Sequence, residues 1–310
     1  MKVSPLFLMS PPRRDWALRG RANFKSRTAE AVDAEEARRE WTALADAIVA
    51  AGGEVVVLEP GDATLTGMIY TAEAGEYFRG PQGEGHFLLP SMAAAHRQKE
   101  AAHITVFAEE TLGLNVHRIQ ATWEAQGDAI RSVHPDSIIH TYGVGPDSRT
   151  SEVAYQEVAP LLSPQHIQIG FVADPWFHGN TFLQFFRSGQ QQVMLVCPEA
   201  LLPGEYDRLK SFVGDTPVVE LTRAESEGYD TNALQVGDTI LAPRSFSGKA
   251  REAAESLGLS VESMDLGELF SKGGGAPVCL TNRLWGLDVA EVPDEVRWSL
   301  RPRIEDHTDL

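Results

Sequence analysis

The chain has 310 residues, of which 43% are apolar and 23% charged, an ordinary composition for a globular protein with one large core or two smaller ones. Its formal net charge of −17 argues against nucleic acid and anionic membranes as partners, because both require a basic surface. No apolar run is long enough to cross a bilayer, and two cysteines without an export signal favour the reducing cytoplasm.

Short apolar runs, many of them bounded by Gly, Pro, Asp or Asn, alternate with amphipathic segments along the chain. The runs predict strands at 4–9, 54–58, 68–72, 86–90, 117–121, 137–140, 168–172, 181–186, 192–197, 217–221, 233–236, 239–242, 260–264 and 277–281. The amphipathic segments predict helices at 29–51, 95–112, 151–162, 203–212 and 248–257. The charged, proline-bearing segment 293–310 is predicted to be a poorly ordered tail.

Two or three strands and one helix recur about five times, at a spacing of roughly 60 residues. This order favours a radial, pseudo-symmetric α/β architecture over a doubly wound sheet, in which single strands and helices alternate. We predict one catalytic domain over residues 1–290 and a C-terminal tail at 291–310. No glycine-rich turn matches a dinucleotide or P-loop fingerprint, and the nine histidines have no metal-binding spacing.

Cys279 follows the run Gly273-Gly274-Gly275 within the segment KGGGAPVCLT (272–281). Glycines allow the backbone to approach another group closely, and a thiol presented behind them is a candidate nucleophile. An inert buried thiol is the alternative interpretation. Cys197, at the end of a predicted strand, is expected to be such a core residue.

Further polar side chains lie at the ends of apolar runs. Glu124 and Asp128 follow a predicted strand, and they form either a turn of solvated acids or a pair in which one orients a histidine or binds a cation. His178 lies among aromatic residues at the start of another strand. Gly179 opens space beside it and Asn180 adds a second polar group, which favours an acid–base role over that of a satisfied core histidine.

Two charged residues complete the candidates. Glu73 ends an apolar strand, where a charge is costly unless it is paired or binds a ligand. Arg149 lies in a glycine-containing loop just before a helix, where it suits either a substrate carboxylate or a surface salt bridge.

These segments, in this order, resemble the motifs of the guanidine-modifying enzymes, the pentein superfamily. That group includes arginine deiminases, dimethylarginine dimethylaminohydrolases, cyanobacterial arginine dihydrolases and amidinotransferases. The matching segments are 7–12 (FLMSPP), 70–75 (YTAEAG), 96–100 (HRQKE), 123–128 (WEAQGD), 142–150 (YGVGPDSRT), 177–182 (FHGNTF), 231–237 (TNALQVG) and 272–281 (KGGGAPVCLT). The resemblance spans about residues 6–285 and implies a fivefold pseudo-symmetric α/β-propeller of ββαβ repeats, in agreement with the element order.

The resemblance also implies catalytic roles. Cys279 is similar to the nucleophile that attacks the guanidinium carbon, and His178 to the acid–base that protonates the leaving amine and activates water. Glu124 is similar to the carboxylate that orients this histidine.

Substrate-binding positions follow in the same way. Glu73 and Asp128 lie where the family holds guanidinium nitrogens, and Asn180 lies where it has a further acid. Arg149 and Arg97 lie where substrate carboxylates are held.

Three departures from the family pattern bear on the substrate. Glu73 replaces an asparagine that the arginine dihydrolases use in a second hydrolysis, which favours a one-step reaction. Asn180 replaces an aspartate, which leaves room for an N-substituted or otherwise unusual guanidine. The loop before Arg149 is longer than in the family.

We therefore expect a cysteine-dependent hydrolase of a guanidino compound: arginine, an N-substituted arginine or a related guanidino acid. The reaction would pass through a covalent S-alkylthiouronium and give a ureido product plus ammonia or an amine. An amidinotransferase and a non-catalytic binding protein of the same fold are the alternatives. The chemistry requires no metal or organic cofactor, the partner is a small cationic guanidino substrate, and a homo-oligomer is compatible with the sequence.

Overall fold

The computed structural model describes residues 4–19, 21, 23–132, 137–162 and 165–301. Within these ranges the chain forms fifteen strands in five three-stranded sheets. The strands are β1 (Leu6–Met9), β2 (Glu54–Val57), β3 (Glu76–Arg79), β4 (Gly85–Leu88), β5 (Asn115–His117), β6 (Ala129–Arg131), β7 (Ser137–Val144), β8 (Gln165–Val172), β9 (Leu183–Ser188), β10 (Gln191–Val196), β11 (Val218–Glu220), β12 (Leu234–Val236), β13 (Thr239–Pro243), β14 (Ser260–Met264) and β15 (Asn282–Arg283).

The same ranges contain seven α-helices. They are α1 (Phe24–Thr28), α2 (Ala34–Ala50), α3 (Glu100–Val106), α4 (Ala154–Leu162), α5 (Glu205–Val213), α6 (Arg223–Glu227) and α7 (Gly248–Ser256). None of these helices is both long and apolar enough to cross a membrane.

Every sheet is built from the same ββαβ unit. Its first two strands are antiparallel, a helix follows, and the third strand then pairs parallel with the second. In one unit, for example, β6 pairs antiparallel with β7, and β8 returns after α4 to lie parallel to β7. The fivefold repeat predicted from the element order is confirmed for the described residues.

Opposite ends of the chain complete the first sheet, whose strand order is β15-β1-β2. Phe7 pairs with Arg283 and Leu8 with Asn282 in the antiparallel ladder, and β1 pairs parallel with β2 on its other edge. The last strand therefore joins the ring of sheets to its beginning.

A short turn precedes the first strand of each unit. Four of these turns are 3-10 helices, and the fifth is a turn at 277–280 before β15. The 3-10 helices are Thr71–Glu73, Ala125–Gly127, Gly179–Thr181 and Asp230–Asn232. The polar candidates of the sequence thus occupy equivalent positions in successive units.

Two of the predicted strands are wrong, because the chain forms two of these turns in their place. Residues 68–72 and 277–281 form turns, although Ile69, Ala72 and Leu280 are buried as a strand would require. Short apolar runs indicate burial but do not fix the backbone conformation. The strands β3, β6 and β15 and the short helices α1 and α6 were not predicted.

Helix boundaries also differ from the prediction. The helix expected at 29–51 begins at Ala34, because the Asp33 carboxylate accepts hydrogen bonds from the backbone amides of Glu35 and Glu36 and caps it. The helix expected at 95–112 begins at Glu100 and ends in a π-helical turn, Phe107–Thr111.

The segment after residue 290 is packed as far as the structure describes it. The Trp298 ring meets the Trp41 ring edge to face, with centroids 5.2 Å apart, and Arg297 Nε donates to Glu54 Oε2 at 3.2 Å. The expectation of poor order is therefore wrong for residues 293–301. Residues 302–310 lie outside the described ranges, and the domain division at 290/291 stays a prediction.

Candidate active site

A cavity of about 60 Å³ lies where the turns of several units meet. Four residues singled out in the sequence line it, namely Glu73, Arg97, Arg149 and Cys279. They come from three units of the ring, with Glu73 and Arg97 in the same unit, so the fold brings together side chains that are far apart in sequence. We refer to this space as the Cys279 cavity.

Cys279 is fixed through its backbone. Its amide donates to Asn232 Oδ1 at 3.0 Å, and the amide of Val278 donates to the Asn232 carbonyl at 3.1 Å. Asn232 Nδ2 in turn donates to the carbonyl of Asn180 at 3.2 Å. One asparagine thus connects the turn that carries the thiol with the turn that carries the histidine.

The residues of the glycine run before Cys279 have to be glycines, because other side chains occupy the space that a Cβ atom would need. A Cβ on Gly275 would lie 2.5 Å from Tyr70 Cε1, and Gly274 has φ +85° with Asn23 in the space of its missing side chain. Tyr70 Oη and Asn23 Nδ2 both donate to the Gly273 carbonyl at 3.0 Å. The close approach predicted from the glycines is therefore made to Tyr70 and Asn23.

The Cys279 thiol is 2% exposed. Burial and the negative charge of Glu73 raise its pKa to about 12, although Arg97 acts in the opposite direction. The thiol is therefore neutral at neutral pH in the unliganded site. A cation bound beside Glu73 would offset that charge and lower the pKa of the thiol.

His178 and Glu124 form a fully buried ion pair, with His178 Nε2 donating to Glu124 Oε2 at 2.7 Å. Burial alone would raise the pKa of Glu124, but the hydrogen bond from His178 and the charge of Arg149 hold it well below its usual range. Burial alone would lower the pKa of His178, but the charges of Glu73, Asp128 and Glu124 raise it. Both shifts favour imidazolium and carboxylate.

The other ring nitrogen of His178 faces the cavity side of the pair. Nδ1 lies 3.4 Å from Glu73 Oε1 and makes no hydrogen bond within the described part of the chain. His178 is not itself among the residues lining the cavity. Glu73, which does line it, connects the histidine to the cavity.

Glu73 is held by Arg97. Arg97 Nη1 donates to Glu73 Oε2, Arg97 Nη2 donates to Glu100 Oε2 at 2.8 Å, and the same nitrogen donates to the Gly67 carbonyl at 3.0 Å. Only 6% of Arg97 is exposed, and the two carboxylates raise its pKa well above the usual value. Its guanidinium is thus occupied by acids of the chain itself.

Asp128 and Asn180 contribute buried polar atoms that lack partners. Asp128 Oδ1 accepts from the amide of Gly179 at 2.9 Å and from Thr141 Oγ1 at 2.7 Å. Asp128 Oδ2 and both polar atoms of the Asn180 amide have no hydrogen-bond partner among the described residues, and burial raises the pKa of Asp128. Such atoms are rare in folded proteins and mark places where a ligand or water is bound.

These two residues do not line the Cys279 cavity. Asn180 and Val278 line a second cavity. His178, two residues before Asn180, and Cys279, the residue after Val278, belong to the site around the first cavity. Asn180 therefore lies in the wall between the two spaces.

The segment that leads into α1 covers the site, and the sequence did not predict this. Six residues of this segment and of α1 line the cavity: Ala17, Leu18, Arg19, Arg21, Asn23 and Ser26. Arg27 donates to Asp147 Oδ2 at 2.5 Å, which ties the segment to the loop that carries Arg149. The pair Asn23 and Ser26 forms a capping box that would have predicted the start of α1, but not its position over the site.

Three further residues of the site lie in segments from which the sequence did not predict their role: Asn232, which holds the turn of Cys279, and Phe177 and His96, which line the cavity. Asn232 belongs to the TNALQVG segment, but no role was assigned to it. Phe177 precedes the histidine, and its ring centroid lies 5.2 Å from the guanidinium carbon of Arg149. His96, in the HRQKE segment, also lines the cavity.

No family model matches the chain. Uncharacterized protein ZK1307.1 of Caenorhabditis elegans is 22% identical over 254 residues, which is 82% of this chain and 85% of that protein.

Solved structures with the same architecture are more informative. One of them is the substrate-bound N-terminal domain of ArgZ, which is an arginine dihydrolase from the ornithine–ammonia cycle in Cyanobacteria. It aligns with TM-score 0.79 at 21% identity, over 91% of this chain and 98% of that one. Unliganded AgrE aligns with TM-score 0.77 at 19% identity over 94% of this chain and 41% of that one. A dimethylarginine dimethylaminohydrolase adduct aligns with TM-score 0.64 at 17% identity over 91% of this chain and all of that one.

The chain therefore has the fivefold α/β-propeller fold of the pentein superfamily, as the motifs and the element order predicted. Identities of this size establish the fold, and activity has to be argued from the site itself.

Proposed function

We propose that the protein is a cysteine-dependent hydrolase of a guanidino acid. What supports the proposal is one arrangement: Cys279 and Glu73 line a common cavity, and the His178–Glu124 ion pair contacts Glu73 at 3.4 Å. The candidate nucleophile and the candidate cation-binding carboxylate thus share one small space, and the candidate acid–base pair lies directly behind that carboxylate.

The charges around the cavity suit a zwitterion with a guanidinium at one end and a carboxylate at the other. The acid Glu73 lies deep, 3% exposed and beside the thiol. Arg149 is partly exposed, and Arg19 and Arg21, both exposed, line the outer part. We infer that the guanidinium enters first and that Arg149 holds the carboxylate.

Three groups are proposed to hold the guanidinium. Glu73 Oε1 is not used by Arg97 and can accept from the substrate, because a carboxylate has about four acceptor sites. Asp128 Oδ2 and the Asn180 amide, which have no hydrogen-bond partner in the described part of the chain, are the further candidates, although both lie behind the residues that line the cavity. Arg97 then acts by orienting Glu73.

Substrate binding would activate the nucleophile. The guanidinium charge offsets Glu73, which is a main cause of the high pKa of the Cys279 thiol. The thiol then loses its proton to solvent in the presence of the cation, and the sulfur of the resulting thiolate adds to the guanidinium carbon to give a neutral tetrahedral adduct.

His178 would carry the protons. Nε2 is held by Glu124, so Nδ1 is the nitrogen left to act. It donates a proton to the departing amine, and a covalent S-alkylthiouronium remains on Cys279. Neutral Nδ1 then takes a proton from water, which adds to the same carbon, and loss of the thiolate releases the ureido product.

A screen of guanidino compounds tests the proposal. Wild-type protein is incubated with arginine, N-methylated arginines and shorter guanidino acids, and ammonia, alkylamine and ureido product are quantified. We expect stoichiometric release of amine and ureido product from one class, and none from the Cys279→Ser variant. Absence of product and of a covalent adduct with every compound would leave a non-catalytic binding protein as the better account.

The same assay separates hydrolysis from amidino transfer. With an amine acceptor present, mass analysis shows whether the amidino carbon leaves as a ureido product or appears on the acceptor. Transfer products in place of the ureido compound would replace the hydrolase by an amidinotransferase, without changing the roles of Cys279 and His178.

A further inference from the structure

The second cavity, about 100 Å³, lies behind the turns that form the Cys279 cavity. Three arginines from different units line it, Arg131, Arg187 and Arg283, together with Trp285. We refer to it as the arginine cavity. All four residues are partly exposed, so the space can be reached from solvent.

The arginine side chains converge on one indole ring. The guanidinium carbons of Arg283, Arg187 and Arg131 lie 3.9, 5.0 and 5.3 Å from the ring centroid of Trp285. Stacking of this kind orients the planar groups and leaves their N–H edges available to a ligand. Three positive charges are therefore concentrated at one place in a chain of net charge −17.

These charges are only partly compensated. Arg131 Nη2 donates to Glu76 Oε1 at 2.6 Å. Burial and the charge of Arg131 lower the pKa of Arg187, and burial with the charges of Arg187 and Arg131 lowers the pKa of Arg283 to about 9. Within the described ranges no carboxylate offsets either residue, and both remain cationic at neutral pH.

Neutral hydrogen-bonding groups complete the lining. Gln126, Gln184 and Gln235 also line the cavity, although the side-chain amides of Gln126 and Gln235 are already bonded to backbone groups. Asn180, whose amide lacks a partner within the described part of the chain, lies at the wall shared with the Cys279 cavity. Arginine forks and side-chain amides are donors suited to oxygen atoms that carry charge.

We propose that the arginine cavity binds a small doubly charged oxyanion, such as inorganic phosphate or the phosphate group of a metabolite. Two guanidinium groups that have no acidic partner among the described residues match two negative charges, and the cavity has room for a group of this size. The site shares the wall at Asn180 with the Cys279 cavity, but the proposal rests on the arginines and does not depend on the proposed guanidino substrate.

Isothermal titration with inorganic phosphate, at constant ionic strength set with chloride, tests the proposal. Wild type should bind one phosphate per chain. Arg187→Gln and Arg283→Gln should each weaken binding by about tenfold or more, because each removes a charge-assisted hydrogen bond. Glycerol phosphate, phosphate and malonate as separate ligands distinguish a phosphate ester, the free ion and a dicarboxylate.

Two matched controls locate the binding. Arg208→Gln removes an exposed arginine elsewhere, and Arg149→Gln removes one arginine that lines the other cavity. Both should bind phosphate as wild type does. Loss of binding in Arg149→Gln, or equal affinity in Arg187→Gln and Arg208→Gln, would overturn the proposal, as would the absence of binding to wild type.

Thermal melting shows whether a variant loses phosphate binding or loses its fold. Without phosphate, Arg187→Gln should melt no lower than wild type, because it relieves repulsion among the arginines. Added phosphate should raise the melting temperature of wild type and not of this variant. A lower melting temperature of Arg187→Gln in both buffers, with an unchanged phosphate response, would mean that the arginine has only a structural role.

Discussion

Glu73 uses its two carboxylate oxygens for different partners: Oε2 accepts from Arg97, and Oε1 lies 3.4 Å from His178 Nδ1. The same carboxylate lines the Cys279 cavity and raises the pKa of the thiol. One acid thereby acts on the candidate nucleophile, the candidate acid–base and the candidate substrate site.

Glu73→Gln should therefore have two opposite effects. Loss of the carboxylate removes a charge-assisted contact to the guanidinium, so kcat/KM should fall by about 10- to 200-fold. The pKa of the Cys279 thiol should fall at the same time, so alkylation by iodoacetamide at neutral pH should become faster than in wild type. Unchanged kcat/KM would remove Glu73 from substrate binding, and unchanged alkylation would remove it from control of the thiol.

Cys279→Ser should abolish turnover and leave the fold intact. Serine is nearly isosteric with cysteine, but its hydroxyl ionises far less readily, so the step that needs a thiolate cannot proceed. Circular dichroism and thermal melting check the fold, and mass spectrometry of wild type during turnover should show an adduct on the peptide that carries Cys279. Turnover by the variant at the wild-type rate would end the assignment of the nucleophile.

Cys197 provides the matched control for the thiol experiments. It is fully buried after β10, and burial raises the pKa of its thiol. In native protein Cys197 should resist alkylation until the chain unfolds, and Cys197→Ala should keep full turnover. Rapid labelling of Cys197 in the native state would contradict its position in the core.

Asn232 is predicted to position the nucleophile without touching the reacting atoms. Asn232→Ala leaves the amide of Cys279 without its acceptor, which should cost about 1–3 kcal/mol of stability and lower kcat more than it changes KM. Asn232→Asp keeps the acceptor oxygen and should recover part of kcat. A loss of stability with normal kcat would indicate a structural role alone.

The His178–Glu124 pair should make stability depend on pH in a defined window. The pKa of Glu124 is lowered from 4.5 by folding, so its contribution is present above about pH 4.5 and is lost as pH falls through the folded value. The pKa of His178 is raised from 6.5, so its contribution is complete below pH 6.5 and is lost as pH rises through the folded value.

Glu124→Gln should therefore lower the melting temperature most between about pH 4.5 and 6.5, and less at higher pH. Melting curves of wild type and variant over this range give the comparison. Glu109→Gln, at an exposed position on the π-helical turn after α3, serves as the control and should show no such window. A difference between wild type and Glu124→Gln that does not vary with pH would contradict the ionic character of the pair.

The element order and the motifs were sufficient to predict the ring of five units and most of its strands. The short run between turn signals predicted β14 at Ser260–Met264, which are the bounds that the structure has. Local pattern did not work everywhere. It failed at 277–281, because the turn that presents Cys279 is as apolar as a strand.

What the sequence could not predict depends on contacts between distant segments. Nothing in the residues around Arg97 indicates that its fork is occupied by Glu73 and Glu100, since one partner lies 24 residues away. The cover formed by α1 and the meeting of Arg131, Arg187 and Arg283 at Trp285 likewise arise only when the units close into a ring.

The pairing of β15 with β1 has a consequence for biosynthesis. The turn at 277–280 stands next to the strand that closes the ring, so the sulfur of Cys279 reaches its neighbours only after all five units have left the ribosome. A nascent chain or a fragment that ends before this turn holds the acid, the imidazole and the arginines but no assembled centre. In this propeller the candidate nucleophile and the strand that completes the topology belong to the same short segment.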